Sequence, residues 1–207
     1  MRLVSMVGAA SLAMVGLAPA ALAAPDAIDG TATAATAKVN KAGTISDSGP
    51  QAKCVVDETS TAHSNGAAVS GVYRLGASDT SCTRAQNRDV TVTADETRFQ
   101  LDAVPDHLVR IAKLHGECKS TPQNVSFSSS FEGIQGLDLP PKIDPGYTAE
   151  IKGKNGATAA KFVFSEITKN NNGELNINQL HVTTYAAGGA SADSDIVLGN
   201  IGCSTTF

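Results

Sequence analysis

Tryptophan is absent from this chain, and three Tyr and six Phe bring aromatics to only 4% of its 207 residues. Stacking of sugars or bases leans on Trp and Tyr faces, so the composition weighs against a carbohydrate or nucleobase surface. Basic clusters are missing as well: 16 Lys and Arg stand scattered among 20 Asp and Glu, a net charge of −4. Such a chain lacks the electrostatic footprint of a nucleic-acid or anionic-membrane binder. Neither C-x-x-C, H-E-x-x-H nor G-x-S-x-G occurs. A zinc cluster, a zincin helix and a serine-hydrolase elbow therefore have no support. No long apolar run follows residue 24, so no later membrane span is expected.

One apolar run is present, at the beginning. Arg2 precedes a stretch from Leu3 to Leu17 that is almost wholly apolar or small, and Ala18-Pro19-Ala20-Ala21-Leu22-Ala23 follows. A charge, an apolar core of about fifteen residues and an A-x-A exit describe a cleavable secretory signal. A spanning helix needs roughly 20 apolar residues, and Pro19 closes this run early. Residues 1–23 are thus expected to be removed. Of the charges only Arg2 is lost, leaving 15 basic against 20 acidic residues and a balance of −5. The end of the chain shows neither a sorting motif nor a hydrophobic tail. The expected product is secreted, or held at the cell surface non-covalently.

The four cysteines, Cys54, Cys82, Cys118 and Cys203, are widely spaced. An even count in an exported protein implies two disulfides. Three pairings are possible. The preferred one joins Cys54 to Cys82 around a local loop and Cys118 to Cys203 between a mid-chain strand and the last.

Residues 24–50, rich in Ala, Thr, Gly and Ser, show almost no apolar periodicity, which predicts a flexible arm. From there, residues 51–207 mostly follow the strand period of two. Val69, Val72 and Tyr73 make one short run, with a bulge expected at Gly71. Val90 and Val92 make another, and Phe99 and Leu101 a third. Residues 107–115 fit a helix or a strand. Pro105 and Gly116 bound a segment short for a helix, so a strand is expected, with Leu108, Ala112 and Leu114 on one face. Val125, Phe127, Ser129 and Phe131 alternate strictly, as do Tyr147, Ala149 and Ile151. Lys154-Asn155-Gly156 is a hairpin signal, followed by Phe162 and Phe164. Leu175 and Ile177 share one parity and Leu180 and Val182 the other, which predicts a bulge near Asn178-Gln179. Ile196 and Leu198 mark a last strand running to Cys203. The fold class expected is all-β, an antiparallel sandwich or barrel-like domain with two disulfides.

Phe164-Ser165-Glu166-Ile167-Thr168, the strand Glu174-Leu-Asn-Ile-Asn-Gln-Leu-His-Val182 and the closing Asp195-Ile-Val-Leu-Gly-Asn-Ile-Gly-Cys203 carry a resemblance. Over residues 115–203 the chain resembles the choice-of-anchor P family of actinobacterial exported proteins. In that family a turn is followed by an "N-A-l-H-V" strand; here Gln179 stands where a small residue is expected. The resemblance implies a signal peptide and a β-rich extracellular domain without assigned activity.

Polar residues offer few sites. His181 lies mid-strand between Leu180 and Val182. An imidazole there can serve as base or ligand, but a strand histidine making an ordinary hydrogen bond is favoured. His63, His107 and His115 are dispersed and follow no metal spacing. Glu166 and Glu174 resemble a carboxylate pair across a hairpin, yet carboxylates commonly decorate exposed strand faces. Asn170-Asn171-Asn172-Gly173-Glu174 lacks the alternate acids of a calcium loop, so a plain turn is expected. Asn124-Val125-Ser126 matches a glycosylation sequon whose use depends on the host. No catalytic, cofactor or metal residue is assigned. The function expected is non-enzymatic binding of an extracellular or surface partner through loops or a free sheet edge. The alternatives are a secreted protease inhibitor, with residues 76–88 as a disulfide-braced reactive loop, and a secreted hydrolase.

Overall fold

The computed structural model describes residues 30–41, 43–169, 175–186 and 192–204. Residues 1–23, expected to be a signal, residues 24–29 of the expected arm, and residues 170–174, where a plain turn is expected, with Glu174, lie outside them. The described residues form fourteen strands and no helix, so none of them makes a helix long and apolar enough to cross a membrane.

Two antiparallel sheets face each other. The first runs β11 (Thr148–Lys152), β12 (Thr158–Lys169), β13 (Leu175–Tyr185), β14 (Ala192–Cys203), β1 (Gly30–Lys41) and β2 (Thr44–Asp47), with β3 (Gln51–Val55) also on β1. The second runs β10 (Asn124–Glu132), β9 (Val109–Thr121), β8 (Val90–Leu101), β6 (Tyr73–Leu75) and β5 (Ala67–Val69). In it β7 (Ser78–Arg84) continues along β8 beyond β6, and β4 (Thr61–Ser64) lies outside β7. The architecture is a sandwich, not a closed barrel.

β1 corrects the expectation of a flexible arm. Its sequence GTATAATAKVNK pairs with β14 on one side and with β2 and β3 on the other, and Ala32, Ala34, Ala35, Ala37 and Val39 are buried. Small side chains are what the position demands. A Cβ on Gly30 would come within 2.6 Å of Val92 on the facing sheet, so the two layers approach closely here. What orders this strand is ladder hydrogen bonding on both edges, which apolar periodicity does not register.

Both sheets are creased. Ser165, Gln179, Gly199, Ala34 and Ala52 form one row across β12, β13, β14, β1 and β3, implied by the register on either side of each. Ser165, Gly199 and Ala52 have φ of 48°, 60° and 44°. Such left-handed residues let two successive side chains point inward, as Phe164 with Ser165 and Gln179 with Leu180 do. The parity switch in β13 therefore needs no inserted residue: Phe164 pairs Leu180, Glu166 pairs Asn178, and the bulge expected there is absent. In the second sheet Arg98 and Gly133, at φ of 53° and 64°, flank Ala112. That crease moves Val109 and Ile111 inside and leaves Leu108 and Ala112 outside, against the face expected from sequence. Gly71, at φ of 72°, closes the turn between β5 and β6 instead of forming a bulge.

The creases divide the interior. On one side Phe99, Leu101, Ile111, Phe162, Phe164 and Leu198 build a large core. On the other a smaller core consists of Ala32, Val56, Val90, Val92, Ala94, Ile201 and the four half-cystines. Cys54–Cys82 and Cys118–Cys203 are the two bridges, the pairing preferred from sequence. Each joins one sheet to the other. Residues 76–88 contain strand β7, Ser78–Arg84, with Cys82 buried, so the stretch is not the single exposed loop expected from sequence.

Candidate functional site

The outer face of the first sheet carries His181. Its Nδ1 is 2.9 Å from Glu166 Oε2 and its Nε2 is 2.5 Å from Asp195 Oδ1. Asn178 donates to the same Glu166 oxygen, and Asn200 donates to Asn178 Oδ1. Partial burial disfavours a charged ring, but hydrogen bonds to Asp195 and Glu166 outweigh it and raise the His181 pKa. Burial likewise opposes ionisation of Glu166, and its bonds to Asn178 and His181 lower its pKa overall. The ring is clamped between two carboxylates with both nitrogens engaged, an arrangement that favours its protonated form. A ring held this way braces three strands and is a poor base.

The sign of this arrangement can be tested. A raised histidine pKa contributes stability that is complete below about pH 6.5, the unfolded value, and is lost as pH rises through the folded pKa. His181→Gln should therefore lose most stability relative to wild type in acid, and the gap should narrow above neutrality. Thermal melts from pH 5 to 9 read this; a gap independent of pH would show that the clamp is uncharged.

A second polar row crosses the outer face of the other sheet. His63 pairs Asp79, Asp79 pairs Asp95, and Asp95 pairs His115 in successive strands. Each histidine Nδ1 lies 2.7 Å from its carboxylate, and the bond to Asp79, helped by Asn65, raises the His63 pKa. Shallow hollows of about 440 and 360 Å³ flank the row and share Asp95. Among the described residues no three ligating side chains converge as a metal ion requires. His107 is exposed near the turn before β9, apart from both clusters. Glu174, the proposed mate of Glu166, lies outside the described residues.

The sheet edges differ from one another. β11, β2, β5 and β4 are three to five residues long, and β11 itself carries Glu150 and Lys152. Short length and charge are the usual protections of an edge against foreign strands. β10 has neither. It runs nine residues, NVSFSSSFE, with one charge at its last position, and among the described residues it pairs with β9 alone. Ser126, Ser128 and Ser130 face solvent, while Val125, Phe127 and Phe131 are half-buried. The strict alternation of this segment was readable in sequence; its place at an edge was not. The sequon residue Asn124 is exposed at the strand's start.

Two buried groups escaped sequence reading. Gln179 is fully buried, fits against Gly116 and Gly199 where any Cβ would overlap it, and donates Nε2–H to Ala94 O at 2.9 Å. It ties the sheets together at the crease. Glu96 is fully buried, and among the described residues neither carboxyl oxygen has a hydrogen-bond partner. Burial, aided by the Asp95 charge, pushes its pKa well above the usual carboxylate value.

No protein-family model, curated protein or solved structure matches this chain.

Proposed function

We propose that this protein is an exported, non-enzymatic recognition domain that binds an extracellular or envelope partner along the free edge of β10. The observation that carries the reading is the contrast between β10 and its neighbours. A nine-residue strand without a charge before its last position is a template for β-augmentation, in which main-chain hydrogen bonds give affinity and alternate side chains give selectivity. The inter-sheet disulfides support export, since such bridges persist in oxidising compartments. The signal-like N-terminus points the same way, as does the resemblance to choice-of-anchor P proteins. His181 and the His63–Asp79–Asp95–His115 row act in this reading as braces of sheet faces.

The test expresses the full chain in a secreting actinobacterial host and recovers it from the medium. The expected product starts at Ala24 and pellets with isolated cell envelopes. Ser128→Lys places a charge on the exposed side of the edge and should reduce the bound fraction about tenfold while leaving the melting temperature nearly unchanged. Retention inside the cell, or pelleting indifferent to Ser128→Lys, would sink the proposal.

A further inference from the structure

Among the described residues one corner of the sandwich is left uncovered, and its chemistry favours one kind of occupant. Ile167, Ile177, Ile201, Ala32 and Cys54 are successive cross-strand partners from β12 to β3, so their side chains form one row on the inner face. Exposure along that row is 1% at Ile177, 0% at Ile201, 1% at Ala32 and 0% at Cys54, then 52% at Ile167. The second sheet repeats the pattern. Cys82, Val92 and Cys118 are buried, and Phe127, next in the row on β10, is only half-buried.

Two free strand edges border the same corner. β11 pairs with β12 only along Thr158–Val163, and Gly146 and Tyr147 bond Phe164. From Ser165 onward that edge of β12 has no partner strand among the described residues. Below it is the free edge of β10. The Ser129 and Ser165 hydroxyls, 2.6 Å apart, join the two layers at the inner limit of the corner. Backbone donors and acceptors along an edge repeat at strand spacing, so an extended chain matches them and a helix does not.

We propose that this corner seats an extended segment of a partner protein as an added strand on the Asn124–Ser129 half of β10. Its inward residues, apolar at alternate positions, pack beneath Ile167 and beside Phe127 and Val125. This rests on the edge-recognition reading and names its partner's chemistry: an uncharged, alternating segment, because β10 offers no charge before Glu132. A second copy of β10 fits poorly. β10 lies under β12, through Ser129–Ser165 and the edge-on Phe131–Phe164 contact, and β11 flanks β12. Pairing two β10 strands would bring the copy's β12 into the space that β11 occupies.

The experiment selects displayed random short peptides on the oxidised mature protein and measures the winners against two variants. Expected winners carry an uncharged stretch with Val, Ile, Leu or Phe at alternate positions. Ser128→Lys and Ile167→Asp should each weaken them about tenfold or more; Ile167 is exposed, so the second variant should fold normally. Hydrogen exchange should slow on peptide binding in both Asn124–Ser129 and Ser165–Lys169. Winners weakened by Ser128→Lys but untouched by Ile167→Asp would leave edge recognition standing and overturn the corner seat. Absence of winners, or winners indifferent to both variants, would overturn both. A concentration-dependent dimer in sedimentation, abolished by Ser128→Lys, would assign the edge to a second copy and overturn the proposed partner.

Discussion

Replacing Cys118 and Cys203 together by alanine is expected to lower the unfolding free energy by about 4–5 kcal/mol. The bridge closes 85 residues of sequence, and the chain-entropy relation for a loop of that length gives this magnitude. Cys54–Cys82 closes 28, for which the same relation gives about 3–4 kcal/mol. Domains of this kind hold only about 5–15 kcal/mol in all, so the larger loss removes roughly a quarter or more of the total. Position makes the effect sharper. The bridge lies in the smaller core, where the apolar residues around it are mostly Ala and Val, whereas Phe99, Phe162 and Phe164 are in the other. Opening should begin at the disulfide end: amides of Ile201–Cys203 and Gly30–Thr33, paired strand to strand, should exchange faster while Phe162 and Leu198 stay protected. Chemical denaturation of the double variant measures the first effect and native-state hydrogen exchange the second. A loss below about 1 kcal/mol would mean that the small core stands without its staple, contrary to the loop-entropy account.

Where the chain was legible, large or branched side chains alternate on an unbroken parity. Val125 to Phe131 read as β10, Tyr147 to Ile151 led into β11, and Lys154-Asn155-Gly156 made the turn before β12, with Gly156 at φ of 79°. Legibility failed in two ways. β1 is built of alanines, whose small apolar area hides the inward face, so the central position of the strand left no trace in its hydropathy. Elsewhere the creases reset the parity. Along β8 the even positions Val90, Val92, Ala94 and Glu96 point inward until Arg98, after which the odd Phe99 and Leu101 take over. The same reset in β13 places Gln179 inside and turns His181 out. Both buried polar residues were thus on the apolar parity of their strands. That signal was available, but its meaning depends on a crease made jointly by several strands. Edge position is hidden for a related reason: whether β10 has one neighbour or two is decided by chain topology, not by β10's own residues.

Glu96→Gln is expected to make the protein more stable at neutral and alkaline pH, by a margin that grows with pH. Glu96 is inward on β8, opposite Ser78 on β7, with Asp95 beside it on the outer face. Among the described residues neither of its oxygens nor the Ser78 hydroxyl has a hydrogen-bond partner. An ionised carboxylate in that setting pays desolvation with nothing to offset it, so the side chain is held neutral and its pKa is raised, first by burial and then by Asp95. The folded state consequently keeps a proton that the unfolded state gives up above about pH 4.5. Between that pH and the raised folded pKa the native state binds more protons, and wild-type stability falls by up to about 1.4 kcal/mol per pH unit. Below about pH 4.5 both states are protonated and the penalty vanishes. Glutamine has nearly the same shape and no proton to lose, so the variant should track wild type in acid and lack this decline. Denaturant melts of both proteins from pH 4 to 9 decide the matter. The His181 clamp weakens over part of the same range but is common to both chains, so it cancels in the difference between them. Parallel curves would mean that Glu96 is charged in the folded protein and has found a partner, in which case the junction between the two cores would have to be solvated.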